Sequence, residues 1–287
     1  MSPRPPELLH RAAERLGAAG FPSPLTDARI LMAEVIGVNP GHLLMLEAME
    51  EGQVEQFEAH LQRRLAGEPV QYITGTAPFR YEELAVAPGV FIPRPETELL
   101  VDHALAFLSS RGRDARRVVE LGAGSGAISR SIAREIPATQ QWAVEISSDA
   151  MPWLERNLQD TAVQVVHADM AVALPELNGT IDLVVTNPPY VPTWARHLLP
   201  DDVEFDPEMA VFAGADGLDV LRVVAEVAAR LLKPGGALVT EHDESHQDQV
   251  IALFGEPLFA NALGHLDLTG RPRVVSAERS DVAGLDS

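Results

Sequence analysis

The sequence predicts an α/β protein in which a small bundle of helices precedes a doubly wound, mostly parallel sheet of seven strands. From Arg117 onward, short apolar runs alternate with segments of helical periodicity, which is the pattern of consecutive βαβ units. Before Gly67, the apolar residues recur at helical spacing. We therefore predict a helical domain over residues 1–68, a β-hairpin linker over 69–92 and a larger α/β domain over 93–287.

The N-terminal region carries apolar stripes at helical spacing, separated by glycine and proline. Thr26 or Asp27 has the side-chain oxygen of an N-cap, and Gly37 is typical of a residue just beyond a helix. The predicted helices begin near Pro5 and continue with 28–36, 42–46 and 50–65.

A change of pattern follows this bundle. The segments 71–75 and 84–86 alternate with turn residues, which predicts the two strands of a hairpin. Pro95 suits the first turn of a helix, and Glu98 is favoured there by the helix dipole. That helix is predicted over 99–108.

The C-terminal domain is predicted from strands that alternate with helices. The strands are expected at 118–121, 142–146, 163–166, 181–186 and 236–241, with two more near Leu258 and Val274. The helices are expected at 127–136, 149–158, 218–232 and 247–254. Such alternation favours parallel pairing with right-handed crossovers.

Composition narrows the classes of function. The chain has 287 residues, 46% of them apolar, and no cysteine, which excludes disulfides, thiolate metal ligands and a cysteine nucleophile. The net charge of −20 argues against a protein that binds nucleic-acid phosphates, and it suits a protein partner that is basic. No secretory leader or membrane-spanning run is evident, so we expect a soluble, cytoplasmic protein.

A glycine-rich turn predicts a nucleotide site. Residues Gly122–Gly126 follow a strand and open a helix, whose backbone N–H groups can face an anionic group. Glu145 ends the next strand, where a carboxylate can accept both ribose hydroxyls. Gly122-x-Gly124-x-x-Ala127 also satisfies the dinucleotide pattern, so a nicotinamide enzyme stays an alternative. Asp169, after the third strand, can accept from an adenine amino group.

The segment Asn187-Pro188-Pro189-Tyr190 ends the fourth strand of the predicted sheet. Two prolines cannot donate ladder hydrogen bonds, so the chain leaves the sheet stiffly at its carboxyl edge, where open α/β sheets hold ligands. The Asn187 side chain and the Pro188 carbonyl offer two acceptors, and Tyr190 offers a flat ring. Together they suit a planar group that carries an NH2.

With these motifs, the chain resembles the class I S-adenosylmethionine-dependent methyltransferases that carry Asn-Pro-Pro-Tyr, and closely resembles the peptide chain release factor N5-glutamine methyltransferases. The resemblance covers about residues 5–278. The matching segments are 69–75, 91–98, 120–126, 187–190, 205–210, 214–218 and 267–273.

The resemblance implies a Rossmann-like methyltransferase sheet, a helical domain that helps to dock the release factor, and methylation of the glutamine in a Gly-Gly-Gln motif. It implies S-adenosylmethionine as cofactor and S-adenosylhomocysteine as product. We also expect no metal, no direct contact with nucleic acid or a membrane, and a monomer. Catalysis is expected from Asn187, Pro188 and Tyr190, and substrate binding from these three residues and Pro189. Cofactor binding is expected from Glu120, Gly122, Ala123, Gly124, Gly126, Glu145, Ile146, Asp169, Met170, Asn187, Arg94, Pro95 and Thr97.

Three acidic residues depart from the family pattern: Glu120 and Glu145 stand where Asp is usual, and Asp206 where Glu is usual. Each change keeps the carboxylate and alters its reach. One alternative is a ribosomal-protein glutamine methyltransferase, but the sequence of residues 93–98 favours the release-factor enzymes. Another is a DNA adenine or RNA guanine amino-methyltransferase, which the strongly negative net charge disfavours. A non-catalytic cofactor-binding protein and a metal site at 242–246 are less favoured.

Overall fold

The computed structural model describes residues 4–46, 48–111 and 116–281. The described chain divides into two compact units. One contains the residues up to Thr76 together with Pro200–Phe205, and the other contains Ala77–Leu199 and the residues from Asp206 onward. Within the described ranges, no helix is both long enough and apolar enough to cross a bilayer.

The first unit is built from helices around one apolar core. Because the apolar residues of each helix lie on one stripe, Leu16, Leu31, Met32 and Leu61 are all fully buried against one another. The elements are α1 (Pro5–Ala18), α2 (Pro24–Ile36), a 3₁₀ helix (Pro40–Met45), α3 (Glu51–Leu65) and α4 (Val70–Thr74).

Helix α2 begins earlier than predicted. Its first residue is Pro24 after Ser23, so the predicted N-cap at Thr26 or Asp27 is wrong. Proline fits the first helical position because the N–H it lacks would have no intrahelical partner. The carboxylate of Asp27 is instead buried and accepts a 2.8 Å hydrogen bond from Arg64.

The predicted strand at 71–75 is also wrong, because Val70–Thr74 forms the short helix α4. Gly75 ends it in the left-handed region at φ 76°. The two-stranded sheet forms one step later, between β1 (Thr76–Phe79) and β2 (Glu82–Ala85).

The second unit contains the predicted seven-stranded, mostly parallel sheet, and this part of the fold prediction is confirmed. The strand order is β5-β4-β3-β6-β7-β9-β8, and only the pairs of β9 with β7 and β8 are antiparallel. The strands are β3 (Arg116–Leu121), β4 (Thr139–Glu145), β5 (Gln164–His167), β6 (Ile181–Thr186), β7 (Leu232–Glu241), β8 (Phe259–Leu266) and β9 (Pro272–Arg279).

Helices cover both faces of this sheet. They are α5 (Thr97–Ser110), α6 (Ala127–Glu135), α7 (Met151–Leu158), α8 (Glu208–Val211), α9 (Asp219–Leu231) and α10 (Gln247–Leu253). Alternate residues of β6 enter different cores: Val184 packs in one, and Leu183 and Val185 pack in the other. Such two-sided burial explains the continuous apolar run of this strand. Since β3, β4, β6 and β7 run parallel, their carboxyl ends meet at one edge.

Candidate active site

A cavity of about 290 Å³ opens at the carboxyl edge of the sheet. Its walls come from the turns after β3, β4, β5 and β6, the segment before α5, and the helices α8 and α9. The predicted site residues that line it are Thr97, Glu120, Gly122, Ala123, Gly124, Glu145, Ile146, Asp169, Met170, Asn187 and Pro189.

The glycine-rich turn folds as a tight loop between β3 and α6. Gly122, Gly124 and Gly126 have φ of 69°, 54° and 81°, a region that residues with a Cβ enter at a cost. A Cβ on Gly126 would lie 2.8 Å from a Leu154 methyl carbon, whereas one on Gly124 would meet nothing within 4 Å. Gly126 therefore serves packing, and the backbone at Gly124 lies open to the cavity.

Glu145 lies at the end of β4 with its carboxylate at the cavity wall. It is 7% exposed, and its two oxygens accept 2.7 Å hydrogen bonds from the backbone N–H groups of Gly124 and Ser147. Each carboxylate oxygen has more than one acceptor site. The residue is thus held rigidly and retains capacity for two further donors, such as vicinal hydroxyls.

Glu120 lies one residue before the end of β3 and is almost fully buried. Burial raises its pKa to about 8, opposed by hydrogen bonds from the backbone N–H and hydroxyl of Ser129. Its Oε2 is therefore engaged at the first turn of α6, and the residue also lines the cavity.

The wall after β5 combines one acid with apolar side chains. Asp169 is exposed and accepts a 2.9 Å hydrogen bond from the backbone N–H of Ala171. Ala168 and Met170 lie on either side of it, and Ile146 lines the same cavity. This arrangement suits a flat heteroaromatic ring that carries a donor at its edge.

Asn187 lies at the end of β6, and its side-chain NH2 donates a 3.0 Å hydrogen bond to the hydroxyl oxygen of Thr97. Thr97 in turn donates to Glu241 over 2.7 Å. Tyr190 donates to the other oxygen of Glu241 over 2.8 Å. A single buried carboxylate therefore connects both ends of the Asn-Pro-Pro-Tyr segment.

The chain after Tyr190 is fastened by backbone hydrogen bonds to residues about twenty positions later. The N–H of Val191 donates to Val211, that of Ala213 donates back to Val191, and that of Thr193 donates to Gly214, all within 3.0 Å. The stiff exit of the chain from β6 is thus reinforced by a neighbouring loop.

Five predicted site residues are not among the cavity-lining residues: Arg94, Pro95, Gly126, Pro188 and Tyr190. The guanidinium of Arg94 donates a 2.5 Å hydrogen bond to Asp206, whose carboxylate is buried and also accepts from the N–H of Ile92. Arg94 therefore fastens the segment before α5 to the segment before α8.

Several cavity residues were not expected from the sequence. Ser147 follows Glu145, and apolar side chains of the segment 207–210 and of helix α9 complete the wall; these are Pro207, Met209, Ala210, Val220 and Val223. The resemblance of residues 205–210 to the family gave a signal for the first three. For Val220 and Val223, the sequence shows only the apolar spacing of an ordinary amphipathic helix, which does not indicate a ligand site.

His242 is fully buried, and burial lowers its pKa. Its Nδ1 lies 2.8 Å from the carbonyl oxygen of Asp243, an ordinary local contact. Within the ranges that the structure describes, no three His, Asp or Glu side chains lie in an arrangement that could hold a metal ion.

The fold and the site together define a class I methyltransferase: a mostly parallel sheet with one reversed strand inserted near its end, a glycine-rich turn after its first strand, and an acidic residue ending the next. Two family models match the chain: the one described as PrmC N-terminal domain over residues 7–75, and the one described as Methyltransferase small domain over 84–198. The chain belongs to the release factor glutamine methyltransferase family.

This membership follows from curated relatives of nearly equal length. The release factor glutamine methyltransferase of Bifidobacterium longum is 43% identical over 94% of this chain and 98% of its own. That of Streptomyces coelicolor is 42% identical over 94% and 96%. A 4-amino-L-phenylalanine/4-methylamino-L-phenylalanine methyltransferase of Streptomyces pristinaespiralis is 40% identical over 86% of each chain.

Among solved structures, the ribosomal protein L11 methylase of Lactobacillus delbrueckii subsp. bulgaricus is 16% identical, with a TM-score of 0.48 over 68% of this chain and 84% of that one.

Proposed function

We propose that this protein transfers a methyl group from S-adenosylmethionine to the side-chain amide nitrogen of the glutamine in the Gly-Gly-Gln motif of class 1 release factors. The observation that carries the proposal is the amide of Asn187, which lies at the cavity with its NH2 engaged by Thr97. Family membership supports the choice of acceptor. We propose further that the enzyme acts as a cytoplasmic monomer, without a metal ion, on protein and not on nucleic acid.

The groups that line the cavity match the parts of the cofactor. Gly124 leaves open space beside its backbone, Glu145 retains acceptor sites for the ribose hydroxyls, and Asp169 stands beside apolar walls that suit adenine. When bound, S-adenosylmethionine supplies an electrophilic methyl group on a sulfonium. Of the other residues assigned to it, Glu120 lines the cavity with one carboxylate oxygen engaged by Ser129, whereas Arg94 and Pro95 do not line it and would act indirectly.

The acceptor is a poor nucleophile, because the lone pair of an amide nitrogen is delocalised into its carbonyl. Oδ1 of Asn187 and the carbonyl oxygen of Pro188 would accept the two hydrogens of the substrate NH2 and so aim its face at the methyl group. Orientation of this kind accounts for about 7 kcal/mol or more of a barrier in ideal intramolecular cases. Pro189 lines the cavity, and Tyr190 would limit the position of the substrate.

The two-domain organisation gives the acceptor a second point of contact. We propose that residues 1–68 dock the body of the release factor, and that residues 93–287 carry the chemistry, with 69–92 between them. A partner that is basic where it docks would suit the net charge of −20.

The test is methyl transfer from labelled cofactor to purified release factor, beside a Gly-Gly-Ala variant of the factor, duplex DNA and 4-amino-L-phenylalanine. We expect label on the wild-type factor alone, and label on either of the last two would replace the proposed acceptor. Asn187→Ala should lower kcat by about 100-fold or more and leave cofactor affinity nearly intact, whereas Asn178→Ala, at an exposed position, should change neither.

A further inference from the structure

Thr97 and Asn187 are 90 positions apart in the chain, yet their side chains meet at the cavity. The hydroxyl oxygen of Thr97 lies 3.0 Å from Nδ2 of Asn187 and 2.7 Å from Oε2 of Glu241. Thr97 is 4% exposed and Glu241 1% exposed, so water does not compete for these contacts.

The direction of this hydrogen-bond chain follows from its last member. Both oxygens of Glu241 accept, Oε2 from Thr97 and Oε1 from Tyr190, so the single hydroxyl proton of Thr97 goes to Glu241. The oxygen of Thr97 can then only accept from Asn187, and Asn187 must turn its NH2 toward Thr97. Its Oδ1, which accepts no hydrogen bond from the described residues, is the end left for a ligand.

We propose that Thr97 and Glu241 are positioning residues that determine which end of the Asn187 amide faces the substrate. The inference rests on the proposed function, in which Asn187 accepts a hydrogen bond from the substrate NH2. The terminal torsion of asparagine is broad and roughly two-fold, so without a partner the amide populates both orientations. The reversed orientation presents N–H donors to the donors of the substrate.

Glu241 also binds Tyr190, the residue that follows the two prolines. Its Oε1 accepts from the hydroxyl of Tyr190 over 2.8 Å while Oε2 accepts from Thr97. Burial raises the pKa of Glu241, and the donors on both of its oxygens oppose that shift by stabilising the ionised form, which sets the direction of the chain. Buried hydrogen-bonded networks of this kind fix one arrangement when every member is satisfied.

The test compares Thr97→Val, which keeps the shape and removes the hydroxyl, with Thr97→Ser, which keeps the hydroxyl. The matched control is Thr139→Val at the first residue of β4, where a largely buried hydroxyl donates to the carbonyl oxygen of Ile136 and contacts the side-chain amide of Gln141. We expect Thr97→Val to lower kcat by at least tenfold with cofactor affinity within twofold of wild type, Thr97→Ser to restore most of kcat, and Thr139→Val to match wild type.

A second readout does not depend on turnover. The side-chain NH2 resonance of Asn187, identified by its loss in Asn187→Ala, should exchange with water at least tenfold faster in Thr97→Val and as slowly as wild type in Thr97→Ser. Unchanged exchange and unchanged kcat in Thr97→Val would overturn the proposal. If wild type labels no release factor, the proposed function fails, while the resonance still tests the orientation of the amide.

Discussion

The hydroxyl of Tyr190 donates a 2.8 Å hydrogen bond to Oε1 of Glu241, which ties the ring after the double proline to the end of strand β7. Burial raises the pKa of both groups, and the carboxylate raises that of the tyrosine further. The polar end of this ring is therefore directed into the protein, while the ring itself packs against the core of the sheet.

Tyr190→Phe should lower the free energy of unfolding by about 1–3 kcal/mol, because it leaves a buried carboxylate with one donor fewer. We also expect a lower kcat, since Glu241 then has more freedom beside Thr97. Chemical denaturation and steady-state kinetics measure the two effects. Tyr81→Phe is the control, because Tyr81 is 84% exposed; an equal response of the two variants would contradict a specific role for Tyr190.

Glu145→Ala should weaken cofactor binding before it affects turnover at saturation. The change removes the acceptor for the ribose hydroxyls and also releases the N–H groups of Gly124 and Ser147. We expect the Kd for S-adenosylhomocysteine, measured by calorimetry, to rise by about tenfold or more, equivalent to about 1.4 kcal/mol. Glu155→Ala, at an exposed position of α7, should not change it. An unaltered Kd in Glu145→Ala would mean that the ribose is held elsewhere.

Gly217→Ala should displace the exit of the chain from β6. Gly217 has φ 76°, and a Cβ there would lie 2.4 Å from the carbonyl oxygen of Tyr190 and 2.8 Å from Cε1 of His246. We expect a loss of about 1–3 kcal/mol in unfolding free energy and a lower kcat. Gly37→Ala is the matched control, because Gly37 has nearly the same φ of 75° and a Cβ there would meet no atom within 4 Å. Equal melting temperatures for Gly217→Ala and wild type would refute this steric account.

Glu120→Gln should change how stability depends on pH. Burial raises the pKa of Glu120 to about 8, so the folded state binds a proton more tightly than the unfolded state does. The stability from this group is therefore present below a pH of about 4.5 and is lost as pH rises toward 8, by at most about 1.4 kcal/mol per pH unit.

A glutamine at this position keeps an acceptor for Ser129 and does not ionise. We expect chemical denaturation between pH 5 and pH 8 to show that the unfolding free energy of Glu120→Gln increases relative to that of wild type as the pH rises. A difference that stays constant over this range would show that Glu120 does not titrate there. Glu176→Gln, on the surface, serves as the control.

Much of the sheet could be predicted, because buried parallel strands are continuous apolar runs and each is followed by a helical stripe. Residues 181–186 were predicted as a strand and form β6 with the same bounds. The segment 71–75 was mistaken because Tyr, Ile and Thr favour strands in isolation, whereas here Val70 and Ile73 complete the core of the helical unit. Burial in the tertiary structure outweighed the local preference.

The candidate site was predictable where its residues are adjacent in sequence, as in the glycine-rich turn and the Asn-Pro-Pro-Tyr segment. The contact between Thr97 and Glu241 joins residues 144 positions apart, and no local pattern encodes such a pair. Thr97 was assigned to the cofactor from the resemblance alone. Its part in holding Asn187 becomes visible only when helix α5 and strand β7 are placed side by side.

The backbone bonds that join Val191 to Val211 and Thr193 to Gly214 close the chain between them into a loop with fixed ends. The length of such a loop can vary at little cost to the frame that carries Asn187, but Asp206 and the cavity-lining residues at 207–210 have to keep their places. The frame of Asn187 is thereby fastened from two sides, by the sheet through β6 and by the far end of this loop through Val191.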